Sequence, residues 1–170
     1  MIPCVFLDRD GVLNIEKGTY TWRVEDFELI EGVNESLEKL KKNGFLIIVV
    51  TNQAGVSRGL YTKSDMLRCN EYLEELTCHR IDDIFYATAH PDYTESLLRK
   101  PDSLMFEKAI AKYRIDTARS WMVGNSERDL IPAIKLGIRS IFVGESANIP
   151  GNRYAVANLF EASDVILENQ

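Results

Sequence analysis

The sequence has no long hydrophobic run, no excess of positive charge and no cysteine framework, and each absence removes a class of protein. The longest apolar stretch, Phe45-Leu46-Ile47-Ile48-Val49-Val50, falls far short of the ~20 residues that a membrane-spanning helix needs. With 20 Lys+Arg against 26 Asp+Glu the formal charge is −6 and the pI is near 5.0, which argues against a binder of nucleic-acid backbones. It leaves room for a small anionic ligand held in a local pocket. The three cysteines, Cys4, Cys69 and Cys78, are odd in number and lack metal-ligand spacing, so buried free thiols are expected. The N-terminal Met1-Ile2-Pro3 carries no basic stretch followed by a cleavable apolar region, and the expected compartment is the cytoplasm. No repeat, low-complexity tract or Gly/Ser/Pro linker divides the chain, so residues 1–170 are expected to form a single domain.

What is present is a regular alternation. Hydrophobic residues make up 45% of 170, enough for a substantial core, and they fall into short β-rich runs separated by amphipathic stretches. Strands are predicted at Cys4–Asp8, Phe45–Thr51, Asp83–Thr88, Ser120–Val123 and Ser140–Val143, with a weak last one at Asp164–Leu167. Helical periodicity covers Val33–Lys42, Lys63–Leu76, Ser103–Tyr113, Arg128–Leu136 and Tyr154–Ala162. Val33, Leu37 and Leu40 share one face of the first helix, and Asn43-Gly44 ends it as a C-cap pair would. Near-continuous apolar strands such as Phe45–Val50 suit a sheet covered on both faces. The fold class is therefore α/β, a doubly wound, mostly parallel sheet, in which ligands bind beyond the carboxyl ends of the strands.

Polar clusters stand at those ends. Asp8-Arg9-Asp10-Gly11 follows the first strand, with two carboxylates that would share the mouth of the site if the chain bends at Gly11. Thr51-Asn52-Gln53-Ala54-Gly55 follows the second, where a hydroxyl and backbone N–H groups could cradle a phosphate. Arg99-Lys100-Pro101 comes after the third, and Gly124-Asn125-Ser126-Glu127-Arg128-Asp129 after the fourth. Each alone has an ordinary explanation: a solvated turn, a loop, a surface charge pair before a helix. Their placement at consecutive strand ends is harder to attribute to chance.

Phe6-Leu7-Asp8-Arg9-Asp10-Gly11, Val50-Thr51-Asn52-Gln53, Arg99-Lys100-Pro101 and Met122-Val123-Gly124-Asn125 stand in the order of the four motifs of haloacid dehalogenase-like (HAD) phosphatases, which the sequence resembles from about Val5 to Val143. The Glu25–Val33 and Asn52–Gly59 segments are similar to the subgroup of D-glycero-D-manno-heptose-1,7-bisphosphate 7-phosphatases and histidinol-phosphatases. The resemblance implies a Rossmann-like core without a large cap domain, since the helix at Val33 arrives too soon for one. It implies Asp8 as nucleophile, Asp10 as general acid/base, and Thr51 and Lys100 as holders of the phosphoryl oxygens. Asn52 and the backbone at Gln53 and Ala54 would help to position the substrate, and Arg99 would recognise the rest of it. Glu16-Lys17-Gly18-Thr19-Tyr20 resembles a substrate-contacting stretch from which Lys17 and Tyr20 could close over a sugar, the alternative being a mobile surface loop. Mg²⁺ would be held by the Asp8 carboxylate, the Asp10 backbone carbonyl and Asn125. The partner would be a small phosphorylated metabolite, with no nucleic acid or membrane, and the chain would act as a monomer.

Two departures accompany the resemblance. The family usually has aspartate where Asn125 stands, which removes one negative charge; Asp129 and Glu127 could restore it nearby. The alternatives are a histidinol-phosphate or other small-metabolite phosphatase, or a phosphate-binding module impaired by Asn125. Many members of the subgroup also carry a structural zinc in the loop before Arg99. The matching positions here are Ala87, Ala89, Ser96 and Leu98, so no structural zinc is expected. The Ala89–Leu98 loop would then be held by packing of Tyr93 and Leu97, or be mobile.

Overall fold

The computed structural model describes residues 1–145 and 149–170. Six strands form one parallel sheet: β1 (Cys4–Leu7), β2 (Leu46–Asn52), β3 (Asp83–Ala87), β4 (Trp121–Gly124), β5 (Arg139–Val143) and β6 (Tyr154–Val156), in the order β3-β2-β1-β4-β5-β6. Helices α1 (Val33–Lys42), α2 (Lys63–Leu76), α3 (Leu104–Tyr113), α4 (Glu127–Lys135) and α5 (Leu159–Glu168) cover its two faces. The chain runs outward from β1 to β3, then returns across the sheet to pair β4 with the other side of β1. That reversal opens a crevice beyond the carboxyl ends of β1 and β4.

Strand periodicity sorts the core into two layers. Val5, Leu7, Ile47, Val49, Trp121 and Val123 face α1, α2 and α5, while Cys4, Phe6, Ile48, Val50 and Met122 face α3 and α4. Successive side chains point to opposite faces, and here both faces are buried, which is why these strands read as unbroken apolar runs. On α1, Val33, Leu37 and Leu40 are buried as one stripe, with Lys39, Lys41 and Lys42 in the last turn where cations suit the helix dipole. Between β1 and α1 the chain forms a single 3-10 turn at Val24–Asp26 and short bridges of Asn14 to Asp10 and Leu29, with no inserted cap. Among the described residues, no helix is long and apolar enough to cross a membrane.

The C-terminal prediction needs correction. Tyr154–Ala162 was expected as helix and Asp164–Leu167 as strand; the order is the reverse. Tyr154 and Val156 point inward and Ala155 outward, an alternation that pairs with Ile141, Phe142 and Val143 of β5. Asn158 then accepts a hydrogen bond from the Glu161 N–H (3.0 Å) and starts α5, which buries Leu159, Ala162 and Ile166 at helical spacing. Asp164 lies inside that helix and pairs with Lys39 of α1. Cys4 and Cys69 are buried free thiols, whereas Cys78, past the end of α2 with φ 52°, is exposed. Tyr93 and Leu97 are 65% and 67% exposed, so neither anchors the Ala89–Leu98 loop by burial. That loop is tied instead by backbone turns on His90 and Ser96 and by Arg99 Nη1, which donates to the Ala89 carbonyl (3.1 Å).

Leu37 is fully buried between α1 and the sheet. Leu37→Ala is expected to lower stability by about 2–5 kcal/mol in urea denaturation, through lost burial and the cavity left behind.

Candidate active site

A cavity of about 310 Å³ opens at the β1–β4 crevice, lined by Asp8, Asp10, Glu16, Thr51, Lys100, Asn125 and Arg128 among others. That volume suits a compact ligand. Asp8 reaches it because its N–H donates to the Val123 carbonyl (3.0 Å), carrying the β1–β4 pairing one residue past the strand. Gly11 then turns the chain with φ +81°, and a Cβ there would collide with the Asn125 amide. Only glycine meets both demands at low cost.

Lys100 organises the floor. Its side chain is 1% exposed, and its Nζ donates to Asp8 Oδ1 (2.8 Å) and to the Val50 carbonyl (2.7 Å). Asp129 Oδ1 lies 2.8 Å away as an ion pair whose angle falls short of a hydrogen bond. Burial alone would lower the ammonium's pKa, but Asp129 and Asp8 outweigh it and keep the group charged. Asp8 is pushed up to about 7, first by burial and then by Asp129, against the pull of Lys100. Its second oxygen, Oδ2, accepts no hydrogen bond among the described residues and is left facing the cavity. The backbone of Lys100 is clamped by Asn52: the amide Nδ2 donates to the Lys100 carbonyl (3.0 Å) and Oδ1 accepts from its N–H (3.1 Å). The Lys100–Pro101 peptide bond that follows is cis.

Asp129 can face Lys100 because of where it stands on α4. At the third helical position it reaches back so that Oδ2 accepts from the Ser126 N–H (3.0 Å), and Gly124 leaves room for its carboxyl. Its charge is therefore spent on Lys100, and Glu127 is exposed outside the cavity; neither restores charge at Asn125.

Asp10 is held from below. The fully buried Arg9 donates to both carboxylate oxygens (3.1 Å each from Nη2) and also to the Thr21 carbonyl (2.9 Å) and Asn70 Oδ1 (3.2 Å). Asn14 Nδ2 (3.0 Å) and Gln53 Nε2 (3.1 Å) donate to the same carboxylate. Gln53 also donates to Thr51 Oγ1 (3.0 Å) and accepts from the Tyr61 hydroxyl (2.8 Å), so it serves as a buried bracket between the first two motifs.

Of the residues singled out in the sequence, Asp8, Asp10, Tyr20, Thr51, Asn52, Lys100 and Asn125 share this cavity. Gln53 and Ala54 lie buried behind it, and Lys17 turns outward to Glu28 (3.7 Å). Arg99 lines an adjoining hollow with Pro101 and Asp102, its pKa lowered by partial burial and then by Arg128 nearby. Glu16 and Arg128 also line the cavity; both lie in segments that the sequence marks, Glu16–Tyr20 and Gly124–Asp129, without being singled out within them. Ser126-x-x-Asp129, a helix-start pattern, was a signal for the Asp129 position; no spacing pattern singles out Glu16 or Arg128 within their segments. Asn125 lies 3.2 Å from Glu16 Oε2 through its Nδ2, which leaves Oδ1 as an acceptor. Asp8, the Asp10 carbonyl and Asn125 Oδ1 would make an all-oxygen donor set, the kind a hard divalent cation takes.

Residues 12–143 match the model of the haloacid dehalogenase-like hydrolase family. The chain is 34% identical over 174 aligned positions to the D-glycero-beta-D-manno-heptose-1,7-bisphosphate 7-phosphatase of Haemophilus ducreyi, covering 95% of each. It is 38% identical to the protein of the same name from Photorhabdus laumondii, covering 76% of this chain and 73% of that one. Its fold is similar to the solved D,D-heptose 1,7-bisphosphate phosphatase of B. bronchiseptica, complexed with magnesium and phosphate (TM-score 0.91, 23% identity, 99% and 100% coverage).

The Lys100 cluster generates a stability prediction. Asp129→Ala removes a buried counter-ion and a helix-start contact, and is expected to cost about 3 kcal/mol in urea denaturation. Glu127→Ala, at an exposed neighbour, should stay within about 0.5 kcal/mol of wild type.

Proposed function

The chain belongs to the haloacid dehalogenase-like hydrolases, and from that premise we propose that it is a phosphoric monoester hydrolase removing the 7-phosphate of D-glycero-D-manno-heptose 1,7-bisphosphate. The observation that carries this reading is the split use of the Asp8 carboxylate: Oδ1 is fixed by Lys100, and Oδ2 is free at the mouth of the crevice. A carboxylate held by one oxygen and presented by the other is oriented for attack on phosphorus.

In the first displacement Asp8 Oδ2 attacks the phosphoryl group. The bond to the sugar oxygen breaks, and Asp10 gives the departing alcohol a proton. In the second, Asp10 takes a proton from water, whose oxygen attacks the aspartyl-phosphate and releases inorganic phosphate and Asp8. Arg9, Asn14 and Gln53 act on Asp10 as positioning groups, holding its carboxylate where it can serve both steps. Thr51 and Lys100 stabilise charge on the non-bridging oxygens, and Asn52 fixes Lys100 for that task. Arg99 meets the distal part of the substrate, its fork suited to hydroxyls or the second phosphate.

Mg²⁺ would be held by the Asp8 carboxylate, the Asp10 carbonyl and Asn125 Oδ1, and when bound it supplies charge neutralisation to the phosphoryl group. Asn125 fits that role as a neutral oxygen donor. The substrate choice is supported by the names of the similar proteins from Haemophilus ducreyi and Photorhabdus laumondii.

Phosphate release from D-glycero-β-D-manno-heptose 1,7-bisphosphate is expected to need Mg²⁺, to stop with chelator and to exceed release from histidinol phosphate. Asp8→Asn is expected to lose more than about 10³-fold in kcat. Release from neither ester by wild type, or turnover that survives Asp8→Asn, overturns this reading.

A further inference from the structure

The cavity holds four carboxylates, and three have cationic partners. Asp10 is paired with Arg9, and Asp8 and Asp129 share Lys100. Glu16 is the fourth and, among the described residues, takes part in no ion pair; the adjacent Lys17 turns to Glu28 instead. Glu16 accepts one hydrogen bond, from the Asn125 amide (3.2 Å).

That contact is built into the turn. A Cβ at position 11 would collide with the Asn125 amide and approach Glu16 Oε2 to 3.2 Å, so the glycine with φ +81° makes space for both partners. Residues from three places, the turn after β1, the first loop and the end of β4, thus close on one point at the cavity wall. An amide has a donor end and an acceptor end. With Nδ2 committed to a carboxylate, Oδ1 is the end left for a cation, and the Glu16 charge remains unneutralised beside it.

Resting on the reading of this site as a Mg²⁺-dependent phosphatase centre, we infer that Glu16 is a positioning residue for the divalent cation. It fixes the Asn125 amide in the orientation that offers Oδ1, and it adds the negative charge that a neutral amide cannot. An acidic side chain outside the direct ligand set does both kinds of work at metal sites, where loss of such a partner costs about 10–100-fold in affinity. Asn125 is consequently matched to Glu16: an aspartate in its place would set two carboxylates against each other across the same contact.

The test is a charge-relocation cycle read by calorimetric Mg²⁺ titration of phosphate-free protein. Glu16→Gln is expected to weaken Mg²⁺ binding about tenfold, with the metal-free melting temperature unchanged. The double variant Glu16→Gln/Asn125→Asp reverses the hydrogen bond and returns the charge to the site, and should recover most of the lost affinity. Unchanged affinity in Glu16→Gln, or a double variant as weak as that single one, overturns the inference. Phosphate release by wild type is measured alongside. Turnover in wild type with an unresponsive Glu16→Gln rejects the Glu16 role alone, whereas a wild type that binds no Mg²⁺ rejects the cation reading and the Glu16 role together.

Discussion

One buried ammonium joins the strand ends on which the site depends. Lys100 Nζ reaches Asp8 beyond β1, the Val50 carbonyl in β2 and Asp129 on the helix that follows β4. A lysine loses much hydration on burial, and the position is tolerable because Asp8 and the Val50 carbonyl accept hydrogen bonds from it and Asp129 adds a second anion at 2.8 Å. The same contacts explain the local architecture. Asn52 must clamp the Lys100 backbone so that the side chain enters the floor, and Asp129 must stand at the third position of α4 to meet it. Gly124 must lack a side chain for Asp129 to fit. Three motifs far apart in sequence are thereby placed relative to one charge.

The sheet supplies the rest of the precision. A doubly wound order places β1 between β2 and β4, so residues after those strands meet by topology rather than by individual attraction. The alternating burial of Val5, Phe6 and Leu7 against opposite layers holds the register of β1, and that register decides which atoms of Asp8 face the crevice. Catalytic geometry here is a consequence of core packing on both faces.

Most of this was legible in the residues because it is local or periodic. The strands β1 to β5 and helices α1 to α4 announce themselves by apolar runs and 3.6-residue stripes, and the motif residues follow the strand ends in order. β6 and α5 were inverted because Tyr154–Val156 is too short to show its alternation, while Asn158 as a cap is decisive only once the helix after it is known. The side chains of Gln53 and Asn52 are engaged within the protein, with Asp10 and Thr51 in one case and Lys100 in the other, partnerships between distant strand ends that no local pattern announces. Glu16 could be placed in a stretch near the substrate but given no role of its own, for another reason. Its significance lies in lacking a cation, and absence of pairing is a property of three-dimensional neighbours that no spacing rule encodes.

Arg9 shows how stability and chemistry are tied in this chain. Its guanidinium is fully buried, which is unfavourable unless every direction is satisfied, and its partners come from separate elements: Asp10 in the first motif, the Thr21 carbonyl in the first loop, and Asn70 on α2. The Phe27 ring, from the segment that closes the same loop, packs against it at 5.7 Å. If the loop were to detach, Arg9 would lose an acceptor in a dry environment and Asp10 would lose the fixed side of its cradle. The loop that carries Glu16 and Tyr20 over the cavity is therefore held by the group that orients Asp10. A change in either is transmitted to the other through one buried charge, alongside the direct hydrogen bond of Asn14 to Asp10.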